Sequence, residues 1–248
     1  MSPDRGGWQP VAPSAIPVDA GHLEPRALGE GEIAALVRAF AAAARRALAI
    51  GCRTVEIHAA HGYLLHEFLS PLSNRREDSY GGSFDNRARL VLRVVGAIRE
   101  AVAATVPVIV RISATDWVEG GWTAEESVAL AGLLRDAGAD LVDVSTGGNA
   151  PADIPVEPGY QVPFAERIRR EAGIPTMAVG LITEPRQAEE ILASERADLI
   201  AIGRGMLYNP RWPWHAAAEL GEEAFYPPQY QRAHPTMRGD FLKLTRSK

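Results

Sequence analysis

Lysine is almost absent from this chain. The only two are Lys243 and Lys248, near the end of 248 residues, so no lysine is available for Schiff-base chemistry at the strand ends identified below. Cysteine is rarer still: Cys52 stands alone. No internal disulfide can form, and nothing points to a bridged, secreted scaffold. Lying just before an apolar run, Cys52 reads as a small core residue. Positive charge is not in excess, the formal net charge being -5, which argues against nucleic acid or an anionic membrane as partner. Long apolar runs are missing too. The most apolar stretch, Ile33 to Ile50, is broken by Arg38, Arg45 and Arg46 and is too charged for a membrane span. Met1 to Gly7 contain no apolar h-region, so a signal peptide is not expected and a cytoplasmic location is.

What is present suits a core: 46% of residues are hydrophobic and 23% charged. The length fits one α/β barrel of about 250 residues. Residues 1–30 are rich in Pro and Gly and predict an extended loop without a strand. Ile33, Leu36, Val37, Phe40, Ala44 and Leu48 then recur at helical spacing, and Gly51 supplies the stop. A long polar loop is expected from the first strand to about residue 84, followed by a helix from about Asn86 to Ala104. Thr123-Ala-Glu-Glu126 opens a third helix as a capping box. A helix near Pro163–Glu171 comes next, and Thr183 is placed to cap one running to about Ser194. Between these helices lie five short β-rich runs, near residues 54–58, 108–112, 141–145, 175–179 and 198–202. Alternation of this kind predicts βα units on a parallel sheet, an α/β fold of the TIM (β/α)₈ barrel type, but a closed barrel needs eight strands.

Polar residues gather where each run ends: His58 and His61, then Arg111, Ser113 and Asp116, then Ser145, Gly147 and Gly148, then Gly180, then Gly203 and Arg204. Strand C-termini form the active-site face of such barrels, and the loops after the last two strands commonly hold phosphate. Gly180 and Gly203 let backbone amides approach an anion, and Arg204 adds a charged fork. The last two runs therefore read as strands seven and eight, and the first as strand four. Strands one to three are missing from the pattern.

His58-x-x-His61 admits three readings: a metal pair, one packed histidine, or two imidazoles that donate to one substrate oxygen. The spacing is not the His-Glu-x-x-His helical pattern and no nearby cysteine completes a metal site, so no metal is expected. Two donors stabilise charge that develops on an activated carbonyl or nitro group. Tyr63 either packs in the loop or supplies a proton from its phenol. Arg111, at the end of a buried strand, demands an anionic or electron-rich partner.

His58-Ala-Ala-His61-Gly-Tyr63-Leu-Leu-His66-Glu-Phe-Leu-Ser70-Pro71, Asn74-Arg-Arg-Glu-Asp78-Ser-Tyr80-Gly-Gly-Ser83, Asn86-Arg87, Arg111-Ile-Ser113-Ala-Thr-Asp116, Ser145-Thr-Gly147-Gly148, Pro158-Gly-Tyr-Gln161, Ala178-Val179-Gly180 and Ile202-Gly203-Arg204 occur in that order. The set resembles the Old Yellow Enzyme family of FMN-dependent ene reductases over about residues 8–232, nearest to its bacterial NADPH dehydrogenases. The resemblance implies FMN reduced by NADPH or NADH, and hydride transfer from reduced flavin to the β-carbon of a small activated alkene. It makes His58 and His61 the substrate-holding pair, Tyr63 the proton donor, and Arg111 a flavin-ring contact. Gly180, Gly203 and Arg204 become phosphate ligands, with Val179, Ser145 and Gly147 beside the cofactor. Gln229-Tyr-Gln-Arg232 is similar to a segment that reaches a neighbouring subunit's site, so Arg232 is a substrate contact and a homo-oligomer is implied. In domain terms residues 1–232 form a partial FMN-binding barrel and 233–248 a tail. The chain lacks the family's first three βα units, which leaves open an inactive fragment or split product that needs a partner.

Overall fold

A computed structural model describes residue 4, residues 6–19 and residues 21–233, with side chains as far as residue 230. The contacts divide the chain into two compact units. One runs to Ile182 and includes Glu190–Ala201; the other takes Thr183–Glu189 and the chain from Ile202 onward.

The first unit is built on a five-stranded, all-parallel sheet. Its strands are β3 (Val55–Ala59), β4 (Val108–Ser113), β5 (Leu141–Ser145), β6 (Thr176–Ala178) and β7 (Leu199–Ile200), in that spatial order. These are the five predicted runs, and together they form a partial (β/α)₈ barrel type. Among the described residues β3 and β7 are the sheet's edges. Helices α1 (Glu30–Ala49), α3 (Phe84–Ala101), α4 (Ala124–Asp136), α5 (Val162–Ala172) and α6 (Pro185–Ala193) alternate with the strands. The predicted periodicity is realised in α3, whose Leu90, Val91, Val94, Val95 and Ile98 are all 3% exposed or less. Each such side chain contributes about 1.5–3 kcal/mol as an upper bound. The Thr123 capping box closes as expected: its hydroxyl accepts from Glu126 N–H, and Glu126 accepts from Thr123 N–H. Gly51 ends α1 at φ 100°, where a side chain is disfavoured.

Four expectations need correction. Residues 11–12 and 26–27, predicted as loop, pair as two short parallel strands, β1 (Val11–Ala12) and β2 (Arg26–Ala27). The polar loop after β3 contains a helix, α2 (Leu64–Leu69), because Leu65, His66, Phe68 and Leu69 are buried and pull that turn onto the core. Cys52 is exposed, since it lies in the turn leaving α1, before the chain enters the sheet. Thr183 does not cap α6, which begins at Pro185; its hydroxyl bonds Glu184 instead.

Strand register sets which residues share a face. His58 stands beside Arg111, Arg111 beside Asp143, Asp143 beside Met177, and Met177 beside Leu199. Side chains alternate along a strand, so this row occupies one face. The neighbouring row, Ala59, Ile112, Val144 and Ala178, faces the other way and is wholly buried. One face is thus apolar core, and the other carries three ionisable groups in line, His58, Arg111 and Asp143, on β3 to β5.

In the second unit, α7 (Arg204–Tyr208), α8 (Trp212–Leu220) and a 3-10 helix (Pro228–Ala233) follow one another. Trp212 donates to Thr183 O at 2.6 Å. The Trp214 ring packs on Tyr226 and Tyr230, and the Arg211 guanidinium sits 5.0 Å from the Tyr230 ring centre. No helix among the described residues is long and apolar enough to cross a membrane.

Candidate active site

The turn after β3 is held by bonds that its own sequence neighbours do not supply. His61 adopts φ 59° and Gly62 φ 72°, a left-handed pair that swings the chain back over the strand end. Ser113, one step beyond the end of the Arg111 row, accepts from His61 N–H at 3.0 Å and donates to Gly147 O at 2.7 Å. One buried hydroxyl therefore ties the loops after β3 and β5 together. Their backbones also meet directly: a Cβ on Gly62 would lie 2.2 Å from Gly148 O, and one on Gly148 would lie 2.6 Å from His61 Cα. Only glycine permits that approach.

On this scaffold the His58 ring lies 5.1 Å from the His61 ring and 5.4 Å from the Tyr63 ring. His58 and Tyr63 are exposed, and His61 is half-buried. Burial, with the Arg111 charge next, pushes His61 down to about 4 and His58 down as well. At neutral pH His61 is therefore a neutral imidazole, and one of its nitrogens lacks a proton. Ser145 decides which. Its hydroxyl lies 2.8 Å from His61 Nε2 and 2.9 Å from Ile112 O, and its single proton can go to only one of them. With that proton on Nε2, His61 carries its own proton on Nδ1 and is a donor there. With it on Ile112 O, Nε2–H is spent on Ser145. One hydroxyl torsion thus separates a donating His61 from an accepting one.

Below this cluster, Arg111 Nε approaches Asp143 Oδ2 at 3.3 Å, which supplies the anionic partner its position demanded. Neither Arg111 Nε nor Asp143 Oδ1 completes a hydrogen bond. Burial pushes Asp143 up to about 6, against the pull of Arg111 and with Glu56 adding to the rise. Gly147 N–H donates to Thr115 O. Val179 O accepts from the Gln161 amide at 3.2 Å, and Gly180, at φ 127°, accepts from Gly159 N–H at 2.7 Å.

The first unit therefore brings together His58, His61, Tyr63, Arg111, Ser145 and Gly147, with Val179 and Gly180 at the end of β6. Gly203 and Arg204 lie on the second unit, Gly203 capping the five-residue α7. Arg232 lies within the 3-10 helix Pro228–Ala233, and its side chain lies outside the described residues, as does the tail from 234. No group of three or more metal-ligating side chains occurs among the described residues. Three residues that shape the site had no assigned role in the sequence: Ser113, His66 and Asp116. Each was visible only as a polar residue within a motif.

Comparisons with known proteins identify the family. The family described as NADH:flavin oxidoreductase / NADH oxidase matches residues 4–223. An NADPH dehydrogenase of Geobacillus thermodenitrificans is 53% identical over 222 residues, 90% of this chain and 65% of the relative. Morphinone reductase in complex with tetrahydroNAD superposes with a TM-score of 0.71 at 31% identity, covering 90% of this chain and 63% of that one. An old yellow enzyme homologue from Zymomonas mobilis gives 0.72 at 27% identity, covering 92% and 68%. The chain spans about 65% of the length of the curated relatives it matches. With a family match over residues 4–223 and relatives about half identical over most of its length, the chain belongs to the NADH:flavin oxidoreductase / NADH oxidase family, that of the old yellow enzymes.

Proposed function

We propose that this chain provides the substrate-facing part of an FMN-dependent NAD(P)H oxidoreductase that reduces activated alkenes. The observation that carries the reading is the cluster of His58, His61 and Tyr63 at the C-terminal end of β3, on the face that Arg111 shares. A cationic donor with an unfilled Nε, set at a strand end, fits the acceptor nitrogen and oxygen edge of a heteroaromatic ring such as a flavin. Arg111 would hold that ring, with Ser145, Gly147, Val179 and Gly180 nearby. Gly203, Arg204 and Arg232 enter the reading through the resemblance rather than through geometry. When bound, a flavin would supply hydride-transfer chemistry between NADPH or NADH and the β-carbon of the alkene.

The chain's own residues prepare the substrate for that delivery. His58 and His61 hold the oxygen of its carbonyl or nitro group and stabilise the negative charge that builds there. For His61 this requires the Ser145 proton to sit on Nε2, so that Nδ1–H faces the substrate. Tyr63, exposed and beside His58, is placed to give its phenolic proton to the α-carbon.

The purified full chain tests this by its flavin absorbance and by NADPH oxidation with cyclohexenone. Yellow protein with turnover supports the reading; a colourless, inactive, monodisperse protein refutes it. A second reading, that the chain works only when a partner completes the sheet, draws on the edges of β3 and β7, which are unpaired among the described residues. Unpaired strand edges favour association. A flavin-loaded, active monomer overturns that one.

A further inference from the structure

We infer that His66, a residue given no role above, is a positioning residue for the turn that carries His61 and Tyr63, acting through a single imidazole tautomer. In this sense the inference rests on the functional reading of that turn. His66 is in the first turn of α2 and is wholly buried. Its Nδ1 accepts from Gly62 N–H at 2.9 Å. A backbone amide can only donate, so Nδ1 bears no proton and the ring's proton is on Nε2. Nε2 lies 3.1 Å from Asp116 Oδ1, an electrostatic approach that does not complete a hydrogen bond, and that carboxylate is wholly buried too.

Asp116 is itself fixed. Its Oδ2 accepts from the Ser70 hydroxyl at 2.5 Å and from Trp122 N–H at 2.8 Å, and its own N–H donates to Trp122 O at 3.0 Å. Burial would push the Asp116 carboxyl up, but the His66 ring, the Ser70 hydroxyl and the Trp122 amide together hold it below the usual range. A charged carboxylate facing Nε2 favours the proton there, which leaves Nδ1 free to receive Gly62. A carboxylate orienting an imidazole so that its other nitrogen meets a required partner is a familiar arrangement around functional histidines. Here the partner is a peptide amide.

The consequence reaches the site through one residue. Gly62 sits between His61 and Tyr63, and Gly148 O lies where its side chain would be, with no room for a methyl group. Holding Gly62 N–H thus fixes the His61–Gly62 peptide plane, which orients His61 directly and sets the direction in which the chain enters Tyr63. The path runs from Trp122, after β4, through Asp116 and His66 to the turn after β3. None of these links touches substrate.

Two substitutions separate the halves of the ring. His66→Asn puts a carbonyl oxygen near the Nδ1 position and keeps the acceptor for Gly62. His66→Gln puts an amide N–H near the Nε2 position and keeps the donor for Asp116, but loses the Gly62 bond. Imidazole ¹⁵N NMR on the full chain without cofactor reads the outcome, so loss of flavin binding does not enter it. In the wild type we expect His66 with a bare Nδ1 and a protonated Nε2. In His66→Asn the His58 and His61 resonances stay in place at fixed neutral pH. In His66→Gln both shift. A protonated Nδ1 in the wild type overturns the inference even if both variants fail to fold. So does a His66→Gln variant whose His58 and His61 signals match the wild type. If the NMR pattern holds while the protein neither binds flavin nor turns over, the positioning stands and the functional reading falls.

Discussion

Replacing Gly62 by alanine tests the close meeting of the two loops in isolation. Two costs are expected. At φ 72° an L residue is disfavoured, by roughly 1–2 kcal/mol. The new Cβ would also lie 2.2 Å from Gly148 O, 3.0 Å from Gly148 C and 3.1 Å from Asn149 Cα. Backbone rather than flexible side chain is in the way, so one loop must retreat by about an ångström, at a cost of about 1–3 kcal/mol. Gly120 supplies the control: its φ is also 72°, but nothing lies within 4 Å of where its Cβ would be. Gly120→Ala therefore carries only the conformational cost. Equilibrium urea unfolding should show Gly62→Ala less stable than Gly120→Ala by about 1–3 kcal/mol, with unchanged m-values. Because His61 is next in the chain, its ring should also be less buried and titrate above 4. Equal losses in the two variants, or a His61 midpoint that stays put, would refute the argument that Gly62 is kept small by Gly148.

Ser113→Ala strands His61 N–H and Gly147 O together, and should cost about 1–3 kcal/mol in thermal or urea unfolding; a neutral result means water replaces the hydroxyl. Asp143 is 2% exposed and raised from 3.8 to about 6, so its contribution to stability is full below pH 3.8 and is lost as pH rises through 6. Asp143→Asn should remove that loss, stabilising the protein above pH 6 by on the order of 2–3 kcal/mol and matching wild type in acid; a destabilised variant at neutral pH would show that the Arg111 contact outweighs desolvation. Glu67, raised by burial from 4.5 to about 7 with no opposing charge, follows the same sign. Glu67→Gln should gain on wild type progressively as pH rises from 4.5 and reach its full advantage above about 7, read as the difference between two melting-temperature curves.

Much of the scaffold was legible because it depends on neighbours in sequence. The repeat that buries Leu90, Val91, Val94, Val95 and Ile98 is a property of α3 alone, as is the Thr123–Glu126 box on α4. The Val- and Ile-rich runs could be recognised as strands, and the polar residues after them as loops on one edge, without any partner being known. The helix within the loop after β3 was hidden because six residues carry too little periodicity, and its burial comes from the core beneath it. The β1–β2 pair was hidden because two residues have no pattern until a second segment lies alongside.

The site divides the same way. Sequence order alone placed His58, His61, Tyr63 and Arg111 at strand ends and linked them to a family. What those groups can do was decided by contacts between residues far apart in the chain. Ser145 reaches His61 across 84 positions and Ser113 reaches it across 52; Gly148 meets Gly62, and Asp116 meets His66. A proton's place on an imidazole, or a carboxyl's resistance to ionising, depends on the atoms within a few ångströms and on the water they exclude. Those atoms come from different strands, so only the register of β3, β4 and β5 could bring them together.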